Sequence, residues 1–532
     1  MTVLSDPLIA APTRRDWLGL ATLAAGLGMI VLDGTIVGVA LPDMIEPLHL
    51  TLTDAQWVSS LYAAILAALL LSAGRLADRW GRKRLFLIGV VVFVAGSAVA
   101  AASLTGSALI AARAVQALGA ALILPTTLSS VNAIFRGKHR AAAFGVWGAV
   151  ISGAAAIGPL AGGALTQYAS WPWIFLVNVP LGAVIFIVAI FTVRETSERA
   201  GGGGIDLVGA VLSAVGFAAL VFVVIEGPDL GWWRPLQDFP ILGLVWPHTA
   251  PVSIVVPLAV IGALGVGGFV WWELRRARAG GTVLLDLSLF RLPTFSWGNL
   301  TAGTIAVGEF AIVFVLPLFL VNARGLDVMQ AGLVLAAMAV GAFVSGAAAR
   351  HLSARLGAPG VVVLGLVLEV VGIGIVAMVV APDAAAWLIA VPLTVYGLGL
   401  GLASAQLTGT VLHDVPRNQS GQGSATQSTV RQVGSALGTA LSGAALSVAL
   451  AITLPASTEG MRGADAVVAA TRSSAGATIA QLRVQHSDAL VAALSAGFAD
   501  ATRVSLLVAA VFLVLGLVGA LRVRAVARHP AP

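Results

Sequence analysis

A carboxylate in the middle of an apolar helix is the residue with the clearest chemical consequence in this chain. Asp33 stands inside an apolar run from about 17 to 41, about 16 residues or 24 Å past the start of its helix at 1.5 Å per residue. A charge at lipid depth costs roughly 3 kcal/mol or more, so Asp33 should face a watery cavity and exchange protons there. The alternative is a structural acid hydrogen-bonded to a neighbouring helix. Glu309 lies about 15 residues into another such run and is a second candidate proton site. Glu369 is equally deep in a third run and is expected to serve packing or an isolated partner contact. Arg113 and Gln116 share one helical face at i, i+3. A fixed cation on a cavity wall would help drive proton release from a nearby acid; a purely structural arginine is the other reading. Arg431, Gln432, Gln406 and Gln427 also fall in apolar runs and should line the cavity, some of them only cross-linking helices. Glu226 sits at the end of its run, where water reaches it.

Other chemistries find no support. The chain has no cysteine, which excludes thiol catalysis, disulfides and thiolate metal sites. The seven histidines are scattered in loops and termini without metal-ligand spacing. No G-x-x-x-x-G-K-[ST] phosphate cradle occurs. Neither a metal nor a cofactor is expected, and no enzyme.

The elements that must hold these residues are membrane helices. Of the 532 residues 58% are hydrophobic and only 10% charged, against about 25% charged in an ordinary soluble domain. The mean hydropathy is +0.98. So few charges cannot cover a water-exposed surface, so most side chains must face lipid or other helices. The net charge of +6 does not point to nucleic acid, because the basic residues sit in short gaps between apolar stretches, where they orient helices.

Runs of roughly 20 apolar residues, the length a spanning helix needs, fall at about 17–41, 55–74, 85–104, 107–134, 141–165, 172–193 and 205–227. Seven more fall at 250–273, 294–321, 328–349, 359–381, 385–411, 421–452 and 501–522. These fourteen are spans 1 to 14. The first is far longer than the apolar region of a secretion signal and reads as a retained helix. With both termini in the cytoplasm, 22 of the 30 basic residues fall in cytoplasmic segments and 6 in outer ones, as the positive-inside rule requires. Many tryptophans, Trp17, Trp57, Trp171 and Trp387 among them, lie near span ends, where an interfacial belt belongs. The one long polar stretch, 453–500, lies outside, and its 466–496 part suits an amphipathic hairpin that modulates access. Gly201–Gly204 reads as a flexible joint.

A weak internal repeat divides the spans. Leu76, Arg79, Gly81 and Gly89 match Leu352, Arg355, Gly357 and Gly365 at an offset of 276, in equivalent turns of two sextets. The expected domains are a six-helix bundle at 1–199, two inserted spans at 200–280, and a second six-helix bundle at 281–532. Two such bundles are the repeat arrangement of a rocking transporter.

Four motifs carry a resemblance that extends over nearly the whole chain. Gly74-Arg-Leu-Ala-Asp78-Arg79-Trp-Gly81-Arg82-Lys83-Arg84, between spans 2 and 3, is similar to the G-x-L-a-D-r-x-G-r-k-r loop signature of the major facilitator superfamily. Leu32-Asp33-Gly34-Thr-Ile-Val-Gly38-Val-Ala-Leu-Pro42 resembles the L-D-x-T-I-V-N-V-A-L-P motif of its fourteen-helix drug:proton antiporters, with Gly38 in place of Asn. Leu109-Ile-Ala-Ala-Arg113-Ala-Val-Gln116-Ala117-Leu-Gly119 resembles l-i-x-x-R-x-x-Q-G-x-G, with Ala117 for Gly. Gly158-Pro159-Leu-Ala-Gly162-Gly163 looks like the G-P-x-x-G-G motif of antiporters, and Trp171-Pro172-Trp-Ile-Phe-Leu-Val-Asn178-Val-Pro180 follows it, with Pro172 where the family has arginine.

The resemblance implies an all-α polytopic fold, with two six-helix bundles plus two additional helices making 14 transmembrane helices. It implies gating by Gly74, Asp78, Arg79, Gly81 and Arg82, and proton coupling by Asp33, Glu309 and Arg113. Gly158, Pro159, Gly162 and Gly163 would seal the cavity against leak, and Gln116, Gln406, Gln427, Arg431 and Gln432 would line it. The expected function is proton-coupled export of small amphipathic or drug-like molecules across a bacterial cytoplasmic membrane. The expected partners are a small-molecule substrate, protons and the lipid bilayer, with the chain acting as a monomer. An exporter of one endogenous metabolite and an uptake symporter of the same fold are the rival readings.

Overall fold

A computed structural model describes residues 12–135, 137–196, 206–241, 244–281, 283–416, 419–461 and 463–528; the Gly201–Gly204 joint and the side chain of Asp78 lie outside them. The first half comprises α1 (Arg14–Ile45), α2 (Leu52–Trp80), α3 (Arg82–Ala101), α4 (Gly106–Ile134), α5 (Gly137–Tyr168), the short α6 (Trp173–Leu176) and α7 (Asn178–Thr192). Two inserted helices follow, α8 (Leu207–Leu230) and α9 (Val255–Arg278). The second half comprises α10 (Pro293–Leu318), α11 (Val328–Leu356), α12 (Ala358–Val379), α13 (Ala386–Val411), α14 (Ser420–Ser457), the short α15 (Ala464–Ser473) and α16 (Ala477–Val484), and α17 (Asp488–Arg528). Spans 9, 11, 13 and 14 are thus α10, α12, α14 and α17.

Thirteen helices among the described residues are long and apolar enough to cross a membrane. The remaining run, 141–165, falls within the 32-residue α5. A bilayer offers backbone groups no water, and helices satisfy them within one segment. Thr13 with Asp16, Thr51 with Asp54 and Asp327 with Gln330 form capping boxes that start α1, α2 and α11, answering donors a helix start leaves open.

Two departures from expectation stand out. A small antiparallel hairpin, β1 (Phe239–Ile241) with β2 (Leu244–Trp246), interrupts the all-helical pattern between α8 and α9. The last span starts at Asp488, not near 501. Leu494 and Phe498 are fully buried in the main core, and their helical spacing extends α17 past the end of its lipid-length run.

The repeat is visible in the packing. Gly81 and Gly357, 276 positions apart, both precede the third helix of their half, with φ of +106° and +72°, a conformation that a side chain resists. Gly158 and Gly162 of α5 lie against Thr35 and Ile36 of α1. At the same offset, Gly434 and Gly438 of α14 lie against Gly303 and Val307 of α10. Gly89 meets the Gly119 carbonyl between α3 and α4, as Gly365 meets that of Gly399 between α12 and α13.

The chain enters and leaves the bundle at the same end, the terminal end; the opposite one is the far end. Near the far end the core is continuous across both halves: Ile36, Leu41, Val58 and Leu109 share a cluster with Phe314, Leu318, Val328 and Leu335. Toward the terminal end the cores separate, with Leu23, Leu66, Phe86 and Ile123 in one half and Ala349, Val361 and Leu402 in the other. The halves therefore meet at the far end, where α5 packs on α11 and α2 on α14. Helix α8 lies along the second of these seams. Its Val221 and Ile225 pack with Ala63 and Ala64 of α2 and with Ala436 and Ala440 of α14, and the Trp57 indole donates to Glu226 at 2.7 Å.

Candidate functional site

Four helices converge on Asp33. Its Oδ2 pairs with the Arg113 guanidinium from α4. Its Oδ1 accepts from Gln116 Nε2 at 3.0 Å and from Asn178 Nδ2, at the start of α7, at 2.8 Å. Ser97 of α3 ties the two amides together, accepting from Gln116 at 2.7 Å and from Asn178 at 3.3 Å. The i, i+3 spacing lets Arg113 also donate to Gln116 Oε1 at 2.9 Å, while its Nε reaches the Val58 carbonyl at 3.3 Å. The guanidinium lies over the Tyr62 ring, 4.5 Å from its centroid. Asp33 is 0% exposed and Arg113 1%.

The expectation that Asp33 faces water is not met in this conformation. The ring of donors shuts it in, and Gln116, expected on the cavity wall, is part of that ring. Such an arrangement sets a proton against a cation for one carboxylate. A proton arriving at Asp33 competes directly with Arg113, so protonation and the ion pair exclude one another. Asn178 belongs to the Trp171–Pro180 motif, which does not by itself assign it to the acid; its place at the first residue of α7 is what aims it at Asp33. Nothing in the spacing signals Ser97.

The second half repeats the acid but not its surroundings. Glu309 lies 276 positions after Asp33, on the equivalent helix α10. Its Oε2 is 3.6 Å from Arg431 Nη2, and the two side chains are 17% and 42% exposed. That separation is a charge contact rather than a hydrogen bond. Gln406 and Gln432 are partly exposed and Gln427 is buried; none of the three hydrogen-bonds to either acid among the described residues.

The loop motif is organised around an acid the sequence did not point to. Glu195, just past α7, accepts from the backbone N–H of Lys83 at 3.1 Å and of Arg84 at 3.3 Å, so it holds the positive end of α3. A Cβ on Gly81 would come within 2.6 Å of the Glu195 carboxyl, so both the turn and the contact require glycine. Arg79 is exposed, Arg82 is buried, and Gly74 faces Pro125 of α4. Arg75 donates to the Val283 carbonyl at 2.7 Å, tying this turn to the segment entering the second half. Glu195→Ala is expected to cost about 1 kcal/mol of stability, the usual price of a lost helix cap, read as a lowered Tm of the purified protein.

The G-P-x-x-G-G residues sit on the far-end seam. Gly163 faces the Val328 carbonyl of α11, and the Pro159 carbonyl lies against Gly332, where a Cβ would come within 2.7 Å of it. Gly38, which stands where the related motif has Asn, leaves room for Val313 of α10; a Cβ there would meet Val313 Cγ1 at 2.6 Å.

The Major Facilitator Superfamily profile matches residues 23–439. The chain is 31% identical over 508 residues to "Multidrug resistance protein Stp" of Mycobacterium tuberculosis, covering 93% of this chain and 90% of that protein. It is 31% identical to "Methylenomycin A resistance protein" of Bacillus subtilis, with 80% and 86% covered. It is 30% identical to "Multidrug efflux pump LfrA" of Mycolicibacterium smegmatis, with 81% of each covered. Among solved structures, a bacterial homologue of the human lysosomal transporter Spinster, inward-facing and unoccupied, superposes with a TM-score of 0.62 at 18% identity, covering 98% of this chain and 100% of that one.

Proposed function

We propose, from the premise that this chain belongs to the major facilitator superfamily and is a multi-pass membrane transporter, that it exports small amphipathic or drug-like molecules in exchange for protons. The observation that carries the reading is the sealed Asp33–Arg113 pair, with its acceptor oxygens fully matched by donors. The relatives named for multidrug and antibiotic resistance support the substrate class.

The distribution of basic residues supports a cytoplasmic terminal end. The described conformation is then closed outside and parted inside, the state in which substrate loads. Glu309 and Arg431 face the parted side. When the halves rock and the far end opens, protons reach Asp33 from outside, and protonation releases Arg113 from the pair. Protonation leaves the Arg113 guanidinium without its counter-charge, so Arg113 must turn to other acceptors or to water as the halves rock, and that cost couples the proton to the movement. On return, Arg113 reclaims the carboxylate and the proton leaves inward. A cationic substrate competes for the same acids, which links its exit to proton entry.

The test uses everted vesicles from cells expressing the protein, acidified inside by respiration and carrying a pH-sensitive dye. Adding tetraphenylphosphonium, then a panel of antibiotics, is expected to discharge the pH gradient as substrate enters the vesicle. Substrate leaving the vesicles with protons would instead identify uptake symport. A second reading is a dedicated exporter of one endogenous metabolite. A response confined to one compound of the panel decides for it.

A further inference from the structure

The ionisable cluster of the second half sets two acids, Glu309 and Glu369, beside one arginine, Arg431. Glu369 of α12 is 0% exposed, and neither carboxylate oxygen has a hydrogen-bond partner among the described residues. Its electrostatic neighbours are Glu309 of α10 and Arg431 of α14, and Arg431 already lies against Glu309. The first half, by contrast, sets one acid against one arginine and matches both carboxylate oxygens.

The site is formed by helix packing. Helices α12 and α13 touch at Gly399, where a Cβ would come within 2.7 Å of the Glu369 backbone nitrogen and 2.9 Å of its Cγ. One turn earlier on α13 stands Tyr396, fully buried, its hydroxyl also without a partner among the described residues. No other titratable group of the surrounding helices comes near. On α11 these groups are Arg350, His351 and Arg355, all in its last two turns. On α17 the groups to either side are Arg503, whose guanidinium binds the Ala377 and Val380 carbonyls at 3.0 and 3.1 Å, eight residues or about 12 Å beyond Glu369 at Ala377, and Arg522, six residues past the Gly516 that faces Leu366. A packing acid would have its oxygens answered by donors, and a buried carboxylate without a partner is strongly disfavoured in its charged form.

We propose that Glu369 is a second proton-carrying carboxyl, exchanging one proton with Glu309 in the field of their shared Arg431. No direct hydrogen bond joins the two carboxyls, so each exchange runs through a water: the O–H bond on one carboxyl breaks as a water O–H forms, and a water O–H breaks as the O–H on the other carboxyl forms. Arg431 stays cationic, so the trio keeps a constant charge until the proton leaves through the more accessible Glu309. The buried site then stores a proton while the exposed one trades it with solvent or with a cationic substrate. This deepens the antiport reading of the same cavity and rests on it.

The test is infrared difference spectroscopy of the full chain in liposomes, stepping the pH and following the C=O stretch of protonated carboxyl groups. Wild type and Asp33→Asn should both show a pH-responsive band, and Glu369→Gln should lose it while unfolding at an unchanged temperature. Glu309→Gln should leave the band present but unresponsive, because the exit partner is gone. A band of undiminished amplitude in Glu369→Gln overturns the proposal, as does a wild-type band that never responds to pH. The vesicle assay reads proton–substrate exchange separately, so a chain with this infrared behaviour but no exchange refutes antiport alone.

Discussion

Replacing Asp33 by Asn is expected to abolish proton-coupled efflux in the vesicle assay. The amide cannot take up and release a proton at neutral pH, so the switch that frees Arg113 is gone. The same change should also destabilise the protein, by about 3–5 kcal/mol, because it leaves a buried guanidinium without its counter-charge. Loss of transport alone is therefore ambiguous, and the double variant Asp33→Asn, Arg113→Gln separates the two effects. Removing both charges of a buried pair is often nearly neutral, so the double variant should recover most of the lost Tm and remain inactive. A double variant that regains proton-coupled efflux would take this pair out of the mechanism.

Gly332→Val is expected to lower transport at least tenfold by preventing closure at the far end. Its Cβ would fall 2.7 Å from the Pro159 carbonyl across the α5–α11 seam, and neither is the mobile tip of a side chain, so the helices must part. The two belong to different halves, so each bundle should still fold. The absence of cysteine makes the check direct. Gln56, 1% exposed and facing Gly443 across the α2–α14 seam, can be changed to cysteine as a lone reporter. A membrane-impermeant maleimide should label Gln56→Cys slowly in the parent and rapidly beside Gly332→Val. Equal labelling in both would show that this contact does not hold the far end shut.

Much of the architecture could be read from sequence because lipid imposes a length on every apolar run. The places of spans 1 to 4 and 6 to 13 follow from that constraint, though the helix ends run past the apolar runs by several residues, and the 276-residue repeat aligns Glu309 with Asp33. The start of α17 could not be read so, since the burial of Leu494 and Phe498 is a tertiary event beyond the lipid-length run. In the site, Asp33, Arg113 and Gln116 were legible because motif and i, i+3 spacing coincide. Ser97 and Glu195 were not. Each is an ordinary polar residue whose role exists only once distant helices meet, and no local period records that. Glu369 reads as serving packing or an isolated partner contact, and no donor among the described residues meets its oxygens, which is the observation the proton-storage proposal starts from.

The inserted pair α8 and α9 bears on how lipophilic solutes enter. The halves adjoin along two lengthwise seams, and α8 is laid over one of them, fastened through Glu226 and Trp57. Under the proposed export of amphipathic solutes, molecules dissolved in the surrounding leaflets would be denied passage on that flank. The α5–α11 seam has no such cover among the described residues, which makes it the side door through which a greasy compound would slip from the bilayer into the transport path.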